Sequence, residues 1–151
     1  MIFTELQEDL FHLPKDYYLA QCISSDFAFM SNTSKAFERN YGTRSELKKR
    51  AIAGTITAGT YPSIIQTDRE PGDGQIFNLV TKEHYYGTTS YEALQQCLSL
   101  MKERVINQRI EKLAMPQIGC DQDQLEWLKV STLILKTFAD VKNLEILVCL
   151  P

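Results

Sequence analysis

The segment Ala114–Val130, AMPQIGCDQDQLEWLKV, sets a proline, a glycine, a cysteine and two carboxylates between a strand-like run and a helix-like one. A turn that enters a helix presents free backbone N–H groups and the positive end of the helix dipole, so it attracts anions. One acid there, Asp123, is explained as a helix start, because Asp123-Gln-Leu-Glu126 has the form of a capping box. The second acid, Asp121, is not explained in that way. Another chemically capable group is Lys82, which closes the apolar run IFNLVTK. An amine with a free lone pair is a nucleophile, and a nearby carboxylate can carry its proton. Cys120 has a glycine before it and a helix after it, a setting that can favour a thiolate. Its acidic neighbours, and the lack of a histidine close in sequence, argue against a nucleophilic role. His84 is of the right type for a proton shuttle, although a surface histidine is the simpler reading. Tyr85 and Tyr86 could flank a sugar, but surface or packing roles are the simpler reading.

These groups need elements that bring them together. Ile2–Leu6 and Tyr18–Ile23 read as short strands, and Ser34–Tyr41 and Arg44–Ala53 as helices stopped by Gly42 and Gly54. From Thr55 to Lys82, β-branched and aromatic residues suggest strands joined by a turn at Pro71–Gly74. Thr89-Ser-Tyr-Glu92 matches a capping box, and Leu94, Cys97, Met101 and Val105 then keep one helical face apolar. Glu111–Ile118 reads as a strand. Asp123–Val141 reads as a long helix with Leu125, Leu128, Thr132, Leu135 and Ala139 on one stripe, and with Trp127 and Phe138 directed to the core. Leu144–Leu150 is almost wholly apolar, as a strand buried on both faces would be.

The alternation predicts an α/β layered fold, and the last third reads as repeated crossover units with parallel strands. Open sheets of this kind bind ligands in the crevice at the carboxyl ends of their strands. Lys82 and the turn Gly119–Asp123 both fall there. A chain of 151 residues fits a single domain with one core, spanning residues 1–151.

With 44% hydrophobic and 23% charged residues, the composition is that of an ordinary soluble domain. No apolar run approaches the roughly 20 residues of a membrane span. The N-terminal MIFTELQEDLF is acidic where a signal peptide is basic. The net charge is −3, which supplies no global positive field for non-specific nucleic-acid binding. The four cysteines form no CxxC pair, and with two histidines a zinc site is not expected. Reduced thiols, and a cytosolic or nuclear setting, are expected.

QEDLF after the first strand, LAQCIS in the second, LVTK ending another and MPQIGCDQDQLEW together resemble the macro domain, most closely its terminal ADP-ribose protein glycohydrolase type. The resemblance runs from about Ile2 to Leu150. It implies a three-layer α/β/α sandwich with a mixed, largely parallel central sheet that binds ADP-ribose in a crevice, with no metal or other cofactor.

By the same resemblance, Asp9, beside Leu10, accepts a hydrogen bond from the adenine amino group. Cys22, Ile23 and Ser24 line the cleft. Pro116, Ile118, Gly119 and Cys120 belong to the turn that contacts the pyrophosphate and distal ribose. Lys82 attacks the anomeric carbon and Asp123 assists, so that ADP-ribosyl esters of glutamate or aspartate are hydrolysed, with O-acetyl-ADP-ribose as a further candidate. A non-catalytic ADP-ribose reader is the alternative. The expected partner is ADP-ribose or an ADP-ribosylated protein. Nucleic acid is expected only as an ADP-ribosylated substrate, and the chain is expected to act as a monomer.

Two departures from the family pattern bear on these expectations. The family's glycine-rich loop, GxGIA, is replaced by Met30-Ser-Asn-Thr-Ser34. Asn32 is the residue there that tolerates left-handed backbone best, and Ser31, Thr33 and Ser34 offer hydroxyls in place of close backbone approach. Asp121 stands where the family has glycine. At ~4 Å and an effective dielectric of about 20, a carboxylate beside a phosphate costs about 4 kcal/mol before screening. Asp121 therefore either faces solvent or accepts a hydrogen bond from a ribose hydroxyl.

Overall fold

A computed structural model describes residues 1–70 and 72–151. Six strands and four helices follow in the order β1 (Ile2–Gln7), β2 (Tyr18–Ser24), α1 (Asn32–Tyr41), α2 (Thr43–Ile52), β3 (Ser63–Asp68), β4 (Gln75–Lys82), α3 (Tyr91–Asn107), β5 (Lys112–Met115), α4 (Trp127–Phe138) and β6 (Glu145–Leu150), with a short 3-10 turn at Leu10–His12. The strands form one sheet in the order β1-β6-β5-β2-β4-β3. Every pairing is parallel except that of β3 with β4. Pro71, in the turn expected at Pro71–Gly74, lies outside the described residues.

Parallel pairing decides where the site can be. It brings the carboxyl ends of β1, β2, β4, β5 and β6 to one edge, and Ser24 is paired directly with Lys82 across a register shift after Ile23. Strand β4 is buried over nearly its whole length. Its interior Asn78 is held by Gln21 Nε2 at 2.8 Å, and itself donates to Ile65 O and Thr67 Oγ1, each at 3.0 Å. A polar residue at the centre of a sheet is tolerated when its hydrogen bonds are made in this way.

Apolar layers lie on both faces. On one, α3 and α4 bury Leu94, Leu98, Met101, Val130, Ile134 and Phe138 against the sheet. On the other, Phe37 of α1 and Leu47 of α2 pack on Leu19, Ile23 and Val80. Full burial of such side chains stabilises the fold by about 1.5–3 kcal/mol each. Among the described residues no helix is long and apolar enough to cross a membrane.

Several element boundaries differ from the sequence reading. Helix α4 begins at Trp127 rather than Asp123, and its buried residues are Val130, Ile134, Thr137 and Phe138. Leu128 is 79% exposed and Leu135 41% exposed. The helix carries two apolar stripes, and only one matches the sheet. Trp127 is half-buried and donates its indole N–H to Glu5. The N-cap of α3 is Ser90, whose side chain accepts from Ala93 N, so Thr89 is not a cap. Strand β5 stops at Met115 because Pro116 has no N–H with which to continue the ladder.

Candidate active site

Lys82 ends β4, and its Nζ lies 2.7 Å from Asp123 Oδ1 and 3.3 Å from the carbonyl oxygen of Gly87. Both charged side chains are only 8% exposed. Asp123 receives a further hydrogen bond on Oδ2, from Thr89 Oγ1 at 2.8 Å. Asp123 thus caps no helix: its two oxygens are occupied by an amine and a hydroxyl from across the sheet edge.

The turn after β5 makes that reach possible. Gly119 has φ +75°, and a Cβ there would lie 2.8 Å from Leu125 Cδ1. The amide of Leu125 closes the loop on Gly119 O at 2.8 Å. Gln124, at φ 56°, adds a second left-handed residue, which excludes a continuous helix from Asp123. The loop therefore doubles back and delivers Asp123 to the end of β4.

A cleft opens over this pair. Its walls are Cys22, Ile23 and Ser24 from β2, Met30, Ser31, Thr33 and Ser34 from the start of α1, and Pro116, Ile118, Gly119 and Asp121 from the turn after β5. Tyr85 lines it beside Lys82. An adjoining cleft holds Asp9, Leu10 and Cys120, and shares Thr33, Pro116, Gln117 and Asp121 with the first. The two lie side by side along the sheet edge.

Asn32 lines neither cleft. It is exposed, as the first residue of α1, with Ser31 as the N-cap. The left-handed residues of this region are Phe27 and Phe29, at φ 54° and 52°, both buried. The hydroxyls of Ser31 and Ser34 are largely spent on each other: Ser31 Oγ accepts from Ser34 N at 3.0 Å, and the two oxygens are 2.8 Å apart. Asp121 is exposed on the rim of both clefts, where solvent screens the repulsion that burial would impose. Asp9 caps the 3-10 turn, accepting from Phe11 N at 2.9 Å, with His12 Nδ1 3.2 Å from its other oxygen.

The thiols are not activated. Burial pushes Cys120 above the usual thiol range, and burial followed by repulsion from Cys97 pushes Cys22 well above it. His84 stacks on Tyr86 with ring centres 4.9 Å apart and does not line the cleft. Among the described residues, no group of three His, Cys, Asp or Glu is placed to hold a metal ion.

Two contributors have no obvious motif. Thr89 is reached only once Ser90 is known to be the cap; the signal in sequence is the run of hydroxyls in GTTSY. Asp26 ties two cleft loops together, accepting from Ser24 Oγ at 2.5 Å, Ala28 N at 3.1 Å and Tyr85 N at 3.0 Å. Partial burial pushes its carboxyl up, but those hydrogen bonds and nearby His84 outweigh it and hold it below the usual carboxylate range.

No family model matches the chain. It is 31% identical over 142 residues to the ADP-ribose glycohydrolase OARD1 of Homo sapiens, a match that covers 92% of this chain and 87% of the relative. Its fold is similar to the macrodomain of Thermus aquaticus DarG, with a TM-score of 0.85, 20% identity and 99% of both chains covered. It is also similar to Thermosipho africanus DarTG in complex with ADP-ribose, with a TM-score of 0.83, 14% identity, and 99% of this chain and 42% of that one covered. A six-stranded, largely parallel sheet between helix layers, a cleft at its carboxyl edge and a full-length relative of this identity lead to one assignment: the chain belongs to the macrodomains, of the ADP-ribose glycohydrolase type.

Proposed function

We propose that the protein binds ADP-ribose along the two adjoining clefts and hydrolyses ADP-ribosyl esters, with Lys82 as nucleophile and Asp123 as its proton partner. The observation that carries this reading is the Lys82 Nζ–Asp123 Oδ1 contact of 2.7 Å at the floor of the first cleft, with both groups nearly buried. The human relative's activity, as its name gives it, supports the same chemistry.

The Lys82 ammonium passes a proton to Asp123 Oδ1, and the freed lone pair attacks the anomeric carbon of the distal ribose. The C–O bond to the acyl group breaks, and the carboxylate leaves with the bonding electrons. One of the two protons left on the adduct nitrogen passes to the ring oxygen as the ring opens, and the other is lost to water, which gives an imine. Water adds across the C=N bond, its hydroxyl to carbon and its proton to nitrogen. Asp123 returns a proton to the nitrogen, the C–N bond breaks, the hydroxyl proton passes to the departing amine to restore the ammonium, and the aldehyde recloses to the ribose ring. The products are ADP-ribose and a free glutamate or aspartate side chain. The second cleft, with Asp9 and Leu10, takes the adenosine end.

The test measures ADP-ribose release from an automodified acceptor protein by wild type and Lys82→Ala. Release by wild type alone is expected; equal release by the two proteins would end the lysine mechanism. Tight ADP-ribose binding with no release by wild type would make the protein a reader instead.

A further inference from the structure

We infer that Thr89 is a positioning residue for this reaction, holding the Asp123 carboxylate so that Oδ1 faces the Lys82 amine. The inference rests on the hydrolase reading above. Thr89 is 4% exposed and does not line the cleft, so it acts through Asp123 rather than on the ligand.

The hydrogen-bond geometry fixes the direction of every proton in the chain. An ionised carboxylate can only accept. The single O–H proton of Thr89 therefore points at Asp123 Oδ2, 2.8 Å away. Thr81 Oγ1 lies 2.8 Å from Thr89 Oγ1, and with the Thr89 proton already committed, Thr81 must be the donor there. Thr81 is 1% exposed, so no water competes for that bond. The order is Thr81 to Thr89 to Asp123 Oδ2, with Lys82 on the opposite oxygen.

Without the Thr89 donor, Oδ2 is a carboxylate oxygen with no partner in a nearly closed site. It then turns toward whatever donor is near, and Oδ1 leaves the amine with it. The Asp123 loop alone does not prevent this: Gln124 is left-handed, and the helix that would stiffen the segment begins only at Trp127. Thr89 is itself anchored, because the next residue, Ser90, caps α3 through Ala93 N at 3.0 Å. A fixed helix end thus sets the orientation of a carboxylate on a non-helical turn.

The experiment compares wild type, Thr89→Val and Thr89→Ser. Valine keeps the volume and removes the hydroxyl; serine keeps the hydroxyl and removes the methyl. Thr89→Val is expected to lower kcat about tenfold to a hundredfold, the size of effect a misplaced catalytic group produces. KM and the ADP-ribose Kd should stay within about twofold, since Thr89 does not touch the cleft. Thr89→Ser should restore kcat to within about threefold of wild type. Unchanged kcat in the valine variant, or a serine variant as slow as valine, overturns the inference. Crystal structures provide a readout independent of turnover. Thr89→Val should show the carboxylate rotated and Oδ1 out of hydrogen-bond reach of Nζ, and an unmoved contact overturns the inference. If wild type does not turn over at all, it is the hydrolase reading that fails, and the crystal structures alone decide the role of Thr89.

Discussion

The Lys82–Asp123 pair should be strongly coupled in stability, because each group would be buried alone if the other were removed. At 2.7 Å and an effective dielectric of about 20, the attraction is on the order of 6 kcal/mol, most of it offset by the cost of taking both charges out of water. Both side chains are 8% exposed, so solvent screens the pair little. Replacing one partner leaves an uncompensated buried charge, which costs about 3–5 kcal/mol. Lys82→Met and Asp123→Asn should each show a loss in that range, measured by urea unfolding at neutral pH. The double variant removes both charges and should lose no more than about one single variant does, giving a coupling energy of at least about 3 kcal/mol. Additivity within about 0.5 kcal/mol would refute the reasoning, since groups without contact behave in that way. The same numbers bear on any activity assay: a Lys82 variant must be shown to be folded before its silence is read as chemistry.

Three further outcomes follow from particular contacts. Gly119→Ala should cost at least about 1–2 kcal/mol from its left-handed backbone alone, plus the displacement of Leu125, whose Cδ1 would lie 2.8 Å from the new methyl; turnover should fall as the loop moves Asp123. Asp26, held below the usual carboxylate range, contributes stability that is full above its unfolded value of about 3.9 and is lost as pH falls through the lower folded value. Thermal melts across pH should therefore show the gap between wild type and Asp26→Asn constant near neutrality and closing only at acid pH. Ile134→Ala should cost about 2–5 kcal/mol and Leu128→Ser less than about 0.5 kcal/mol, as the burial of one and the 79% exposure of the other require.

The layered fold, the parallel strands and the edge that carries the site were legible because β4 and β6 are buried and mostly apolar and helical spacing lies between them. Lys82 and Asp123 were legible as neighbours through that topology. The phase of α4 was not: Leu128–Leu135 and Val130–Ile134 are both helical stripes, and only the facing sheet chooses between them. Asp123 read equally well as a cap because a capping box and a carboxylate on a reversing loop share the same local residues, and the distinction lies in Thr89 and Lys82, far away in sequence. Asn32 was misread for a related reason. Its tolerance of left-handed backbone is intrinsic, but the strain in this region is carried by Phe27 and Phe29, whose burial offsets their conformational cost.

The lysine route requires the Lys82 amine to bond to the anomeric carbon during turnover. Adding borohydride to the enzyme during hydrolysis of an ADP-ribosyl ester, followed by peptide mass spectrometry, tests it directly. A single ADP-ribosyl adduct on the peptide carrying Lys82, absent from Lys82→Ala, is the expected result. Full-rate release of ADP-ribose with no adduct, or with an adduct on another residue, would contradict it.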